Sequence, residues 1–268
     1  MSMKPTLIAV VLAFSVGLFL LLPLIAVIPV SFTPARFLTM PTNVWSLRHY
    51  QELIDNPAWL KSIWLSLRIG IFSSTIATVL ALAFSLGIWM FRPWFGNLLF
   101  GFVLLPMVAP PVVSAITLYF FLTTLSKVNS IIAYDTWVGV AIAHAVMIAP
   151  FAVVMVTVAL AQVDRRIDLA ARGFGATISQ RIFKVILPNI KFGVFTAFFL
   201  SFVLSWEEIG VTLFITSVDA VTLPRMMWMG LRDNIDPAIA AISVILIGIV
   251  ISVILVKTAV TLKLTRKS

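Results

Sequence analysis

Long apolar runs alternate along the chain with short polar intervals. Six runs, at about residues 7–30, 63–91, 98–124, 136–160, 192–216 and 238–260, are mostly apolar over 20 or more positions. About 20 such residues in a helix cross a hydrocarbon core of roughly 30 Å. The pattern predicts an all-α, polytopic membrane protein with six transmembrane helices in a single domain over residues 1–268. The first run is longer than a signal-peptide core and lacks an Ala-x-Ala-like end, so it is expected to remain as a span.

The polar intervals refine this outline. Residues 31–62 and 217–237 read as connectors on one side, with residues 126–135 as a short loop between them in sequence. Trp45, Tyr50 and Trp59 are expected at headgroup level, and Arg68 is expected to snorkel outward. The third run holds Pro106, Pro110 and Pro111, so that helix must kink or break. Such a break is either a packing kink or part of a water-lined translocation path. His144 in the fourth run reads as hydrogen-bonded within the bundle or, less simply, as a functional group.

Composition supports a membrane protein: 61% of the residues are hydrophobic and 11% charged, against about 25% charged in soluble domains. A net charge of +9 invites a nucleic-acid reading, but the distribution of charge excludes it. Six spans put both termini on one side. Twelve of the 19 Lys and Arg fall on that side, including Lys4, Lys257, Lys263, Arg266 and Lys267, with only Asp164 and Asp168 to oppose them. The positive-inside rule makes this side, with both termini, cytoplasmic. Basicity is then a topology signal. The chain has no cysteine and no phosphate-binding Gly-rich loop, so any ATP must be bound by another chain.

The longest polar interval of the second half runs from Asp164 to Pro188. Asp164 can cap a helix over Ile167–Phe174, Gly175 can take the left-handed conformation that closes it, and Thr177 or Ser179 can start a second short helix. Leu187-Pro188 is expected to stop that second helix before the fifth span begins. Ala170 and Ala171 keep one side thin enough for another protein to approach. Read by spacing alone, the segment is either a docking element or a surface helix facing anionic lipid. Glu207 and Glu208, about 16 residues into the fifth run, are a second candidate. A carboxylate within a span is costly unless paired or wet, so the pair marks either a path for a cation or a structural ion pair. Neighbouring helical residues diverge by about 100°, so one of the two is expected to face the path.

Ala170, Ala171, Gly175, Val185, Leu187 and Pro188 stand in the register of the coupling loop of ABC importer permeases, which the segment resembles. Leu169 stands where that loop carries Glu, and Asp168 lies one position earlier. The resemblance extends over nearly the whole chain. Arg48 to Leu53 with Asn56-Pro57, Leu105-Pro106 with Pro110, Ser205 to Glu208, and Thr222-Leu223-Pro224 are similar to permeases of spermidine/putrescine-type importers. The resemblance implies a type I importer permease fold in the bacterial inner membrane and no chemistry by the chain itself. It also implies partners: a dimer of ABC ATPase subunits, a second permease that is a different chain, and a periplasmic binding protein that delivers a polyamine or similar small solute. Asp168, Leu169, Ala170, Ala171, Arg172, Gly175, Leu187 and Pro188 would couple to the ATPase; Glu207, Glu208, Pro106 and Pro110 would line the path. An ion-coupled secondary transporter is the alternative. Dependence of uptake on ATP rather than on an ion gradient separates the two.

Overall fold

A computed structural model describes residues 6–233 and 236–265. Lys4, Arg266 and Lys267 lie outside the described residues, as do the side chains of Asp233, Lys257 and Lys263. The order of elements is α1 (Leu7–Val30), α2 (Arg48–Asp55), α3 (Pro57–Phe91), α4 (Gly96–Val108), α5 (Pro111–Leu125), α6 (Trp137–Ala161), α7 (Arg165–Gly173), α8 (Ile178–Gln180), a π-helical turn (Arg181–Ile186), α9 (Leu187–Glu207), α10 (Thr212–Ile215), α11 (Leu223–Asp233) and α12 (Ala238–Thr265). Among the described residues, five helices are long and apolar enough to cross a membrane, counting Ile178–Glu207 as one. The pair α4 and α5 makes a sixth crossing if taken together.

The third run is therefore two helices, bent by 98° across Ala109 and Pro110. Pro110 precedes Pro111, which opens α5 at a position where its missing N–H costs nothing. Pro106 sits inside α4 without ending it. Other boundaries also differ from the hydropathy reading. The interval 31–62 contains α2 and the start of α3, and Trp59, expected at a headgroup boundary, is 2% exposed. The fifth run stops as a helix at Glu207 rather than continuing to residue 216. The interval 217–237 contains α11.

The helices group into two compact units. One comprises the chain up to Lys61 with the stretch from Met227 onward; the other is Ser62–Met226. In the first, α12 packs against α1 and α2. Ser31 and Tyr50 share a hydrogen bond of 2.7 Å, and the Phe32 ring packs on Trp45 and Tyr50. In the second, α6 and α9 form the most extensive helix pairing. Ala77, Ala81, Ile148, Ala152, Val156, Ile190 and Ala197 belong to one of its two core clusters. Small residues let the two backbones close up: a Cβ added at Gly193 would overlap the Ala159 methyl.

Candidate functional site

The segment after α6 folds by local rules. The Asp164 carboxylate accepts the Arg166 N–H at 2.9 Å and caps α7. Phe174 follows the last helical residue, and Gly175 has φ +76°, which closes the helix with a left-handed residue. Thr177 and Gln180 exchange hydrogen bonds of 2.9 and 3.3 Å in a capping box that opens α8. From there the helix runs without a stop into α9, so Leu187-Pro188 does not terminate a separate helix. The π-helical turn Arg181–Ile186 comes immediately before Leu187 and Pro188 instead. Proline has no N–H to give and crowds the carbonyl one turn back. A turn widened to i→i+5 hydrogen bonding accommodates that defect while the helix continues.

An ion pair anchors α7. Arg181 donates from Nε and Nη2 to the two oxygens of Asp168, at 2.8 and 2.6 Å. Both side chains are 12% exposed. This is a bidentate, charge-assisted pair, the strongest polar geometry available to these groups. Asp168 therefore does not replace the missing motif Glu on the outer surface. It points inward, and Leu169, one step of about 100° further round, points outward and is exposed. Ala170, Arg172, Gly173 and Phe174 are also exposed, and Ala171 is half-buried. Leu187 packs at the edge of the α6–α9 core, while Pro188 is exposed. Asp168, Leu169, Ala170, Ala171, Arg172 and Gly175 thus lie together on one short element. Its free face mixes apolar groups, Ile167, Leu169, Ala170 and Phe174, with two cations, Arg166 and Arg172.

At the other end of α9 the helix ends on the acidic pair. Glu208 is the capping residue; its Oε1 accepts the Val211 N–H at 2.9 Å. Glu207 is exposed and makes no hydrogen bond or ion pair among the described residues. Behind the break lies a buried polar relay whose proton positions follow from its ends. Thr212 donates to the Glu208 carbonyl at 2.8 Å, so its oxygen accepts from His144 Nε2 at 2.9 Å. His144 Nδ1 then accepts from Ser205 at 2.9 Å, and Ser205 accepts from Ser73 at 2.8 Å. His144 is neutral and fully satisfied in this arrangement, and it bridges α9 and α10 across the break. Pro106 and Pro110 lie at the α4–α5 bend, half-buried and exposed respectively.

Three further features were not visible in the sequence pattern. Asp135 accepts four backbone N–H groups, from Ser217, Val218, Asp219 and Ala220, at 2.7 to 3.1 Å. Burial alone would raise its pKa, but the four N–H bonds outweigh it and hold the carboxyl below its ordinary range. Arg68 does not merely snorkel: its guanidinium lies 3.6 Å from the centroid of the Trp137 ring. His49, Glu52 and Asp236 bring one ligand atom each within 4.8 Å of one another. His49 already engages the Ala35 carbonyl at 2.9 Å and Glu52 at 3.3 Å, which tethers α2 without a metal.

Several bilayer-length helices, with a polar helix-turn-helix between two of them, define a polytopic integral membrane protein. The family described as the binding-protein-dependent transport system inner membrane component matches residues 79–266, and the chain belongs to that family. It is a membrane permease of the inner membrane and not an enzyme. It is 27% identical over 233 residues to the putrescine transport system permease protein PotI of Escherichia coli K12, covering 87% of this chain and 83% of PotI. It is 31% identical over 193 residues to a probable molybdenum ABC transporter permease of Haloferax volcanii, covering 69% and 71%. In fold it matches a chain of a bacterial ABC transporter involved in the import of the acidic polysaccharide alginate. That match has TM-score 0.61 at 17% identity, over 95% and 94% of the two chains. The fold is that of type I ABC importer permeases.

Proposed function

We propose that the chain is one of two permease subunits of an ATP-driven importer and that α7 is the element through which an ATPase subunit moves it. The observation that carries this reading is the outward face of α7. Leu169, Ala170, Arg172 and Phe174 are free while Asp168 anchors the opposite side to the root of α9. A short helix with an outer face of apolar and basic groups and a rigid inner attachment suits a lever seated in another protein's cleft. Displacement of α7 would pass through Arg181 into α9 and so to the acidic helix end. Two conformations biased by ligands at both ends are what such coupling requires. The termini and α7 then face the cytoplasm, as the charge distribution predicts, and ATP is bound by the partner.

Of the two acids, Glu207 is the candidate for contact with a passing cation, because Glu208 is occupied as a cap. This supports a small cationic solute of polyamine type, delivered from the outer side by a binding protein. A different chain serves as the second permease. The family match leaves the ion-coupled alternative without support.

The test is purification from the native membrane in mild detergent, with co-purifying chains identified by mass. Wild type is expected to bring an ATPase with a phosphate-binding loop. Phe174→Asp, which places a charge on the outer face and leaves the Asp168–Arg181 pair intact, is expected to lose it. Retention of the ATPase by that variant would remove α7 from the coupling role.

A further inference from the structure

A cavity of about 380 Å³ lies in the unit Ser62–Met226, lined by residues of α3, α4, α6 and the first turn of α7. Neither the docking face nor the acidic helix end uses it. Its lining is mixed in chemistry. Phe84, Trp89 and Phe100 contribute apolar surface, and Arg92, Asn97 and Arg165 contribute polar groups. Among the described residues, no carboxylate lines it.

Two cations therefore share an open space without an anion between them. Arg165 lies over the Trp89 ring, 4.9 Å from its centroid. Burial and then repulsion from Arg92 push the Arg165 guanidinium below its ordinary range, with Asp168 opposing. Asp168 cannot turn to neutralise them, because both of its oxygens are taken by Arg181. The Arg92 side chain makes no ion pair or hydrogen bond among the described residues. Its backbone has φ +46°, uncommon for a residue with a Cβ, at the turn into Pro93. The same turn carries exposed aromatics: Phe91 is 67% and Trp94 95% exposed. Exposed aromatics at the end of a span mark the headgroup layer.

We infer that this cavity binds the headgroup phosphate of an anionic phospholipid, clasped by Arg92 and Arg165, with the first carbons of an acyl chain against Phe84, Trp89 and Phe100. Guanidinium groups match phosphate oxygens in fork geometry, and basic pockets between helices at the membrane surface take anionic headgroups. The apolar lining residues and the depth marked by Trp94 favour an amphiphile over a free anion. Arg165 is the first residue of α7, so a bound lipid would also brace the docking helix. That consequence rests on the proposed function, whereas the binding does not.

The test uses the protein as it assembles in its native membrane, transferred to nanodiscs of phosphatidylcholine with or without phosphatidylglycerol. Lipid retention is read by native mass spectrometry and thermal midpoint by fluorescence. Wild type is expected to retain phosphatidylglycerol over phosphatidylcholine by roughly tenfold. Arg92→Gln with Arg165→Gln is expected to abolish the preference. Arg166→Gln, an exposed arginine outside the cavity, is expected to keep it. Should the double variant fail to assemble, Arg92→Gln alone, on the exposed turn, is expected to cut the preference several-fold. Equal retention of the two lipids, or a preference that survives the loss of Arg92, overturns the inference. So does a thermal shift by millimolar inorganic phosphate as large as that by phosphatidylglycerol and lost in the same variants. That result would assign the site to a free anion.

Discussion

Two pairs of neighbouring residues, Asp168-Leu169 on α7 and Glu207-Glu208 at the end of α9, divide in the same way with opposite chemistry outward. In each pair the helical step of about 100° turns one residue to a structural task and leaves the other free. On α7 the carboxylate is buried against Arg181 and the exposed neighbour is apolar. At the end of α9 one carboxylate caps the next turn and the exposed neighbour is a second carboxylate. An exposed leucine gains by being covered, which suits a protein partner. An exposed glutamate in an apolar helix is tolerated where water reaches it, which suits a hydrated passage. Under the proposed function, the difference gives α7 and the far end of α9 two kinds of neighbour.

The largest effect should come from breaking the buried side of the α7 pair. Asp168→Ala leaves the Arg181 guanidinium largely covered and uncompensated, a loss of about 3 kcal/mol. A clearly lower thermal midpoint in detergent is expected, with uptake lost as α7 detaches. The exchange Asp168→Arg with Arg181→Asp should recover part of both, and absence of any destabilisation in the single variant would contradict the anchoring role. Next, His144→Ala deprives Ser205 and Thr212 of their shared partner inside the bundle, at a cost of about 2 kcal/mol. Its expected mark is a lower midpoint together with faster hydrogen exchange at residues 208–212.

Smaller effects sharpen the acidic pair. Glu208→Gln weakens a cap and should cost about 0.5–1 kcal/mol, while Glu207→Gln should leave the midpoint unchanged. Uptake at limiting substrate should respond in the reverse order, falling for Glu207→Gln and little for Glu208→Gln. Equal uptake in both variants and wild type would remove Glu207 from the path. The smallest effect concerns Asp135. Its folded pKa is lowered, so its contribution is complete above the ordinary carboxyl value near 3.8 and is lost as pH falls through the lower folded value. Asp135→Asn should therefore lower stability across the neutral region, converge with wild type at the acid end and so flatten the acid limb, as followed by thermal midpoint against pH.

What could be read before the structure was what depends on nearby residues. Asp164, Gly175 and Thr177 act within four positions of themselves, and each does what its residue type allows. The membrane crossings were legible because bilayer thickness imposes length on composition. The end of α9 was not. Ile209, Val211, Leu213, Phe214 and Ile215 keep the run apolar beyond Glu208, and hydropathy cannot register a change of backbone direction. The two acids and Gly210 were the only local sign. The role of Asp168 was also hidden, because its partner is 13 residues away and meets it only after the chain has reversed at Gly175. Trp59 was misplaced for a related reason. An aromatic beside a span looks alike in sequence whether the interface or a protein core receives it.

The wide turn at Arg181–Ile186 has a consequence for how this chain tolerates change in length. A π turn houses one residue more than the α turn it interrupts, so it can absorb a change of one residue on the spot. Everything beyond it keeps its compass bearing: Ile190, Gly193 and Ala197 still meet α6, and Ser205 still meets His144. Deleting the exposed Phe183 should therefore convert the turn to ordinary helix with little disturbance downstream. Deleting one residue a few positions later, within Phe192–Phe195, would swing the whole far half of the rod by about 100° and point a different set of side chains at the pore.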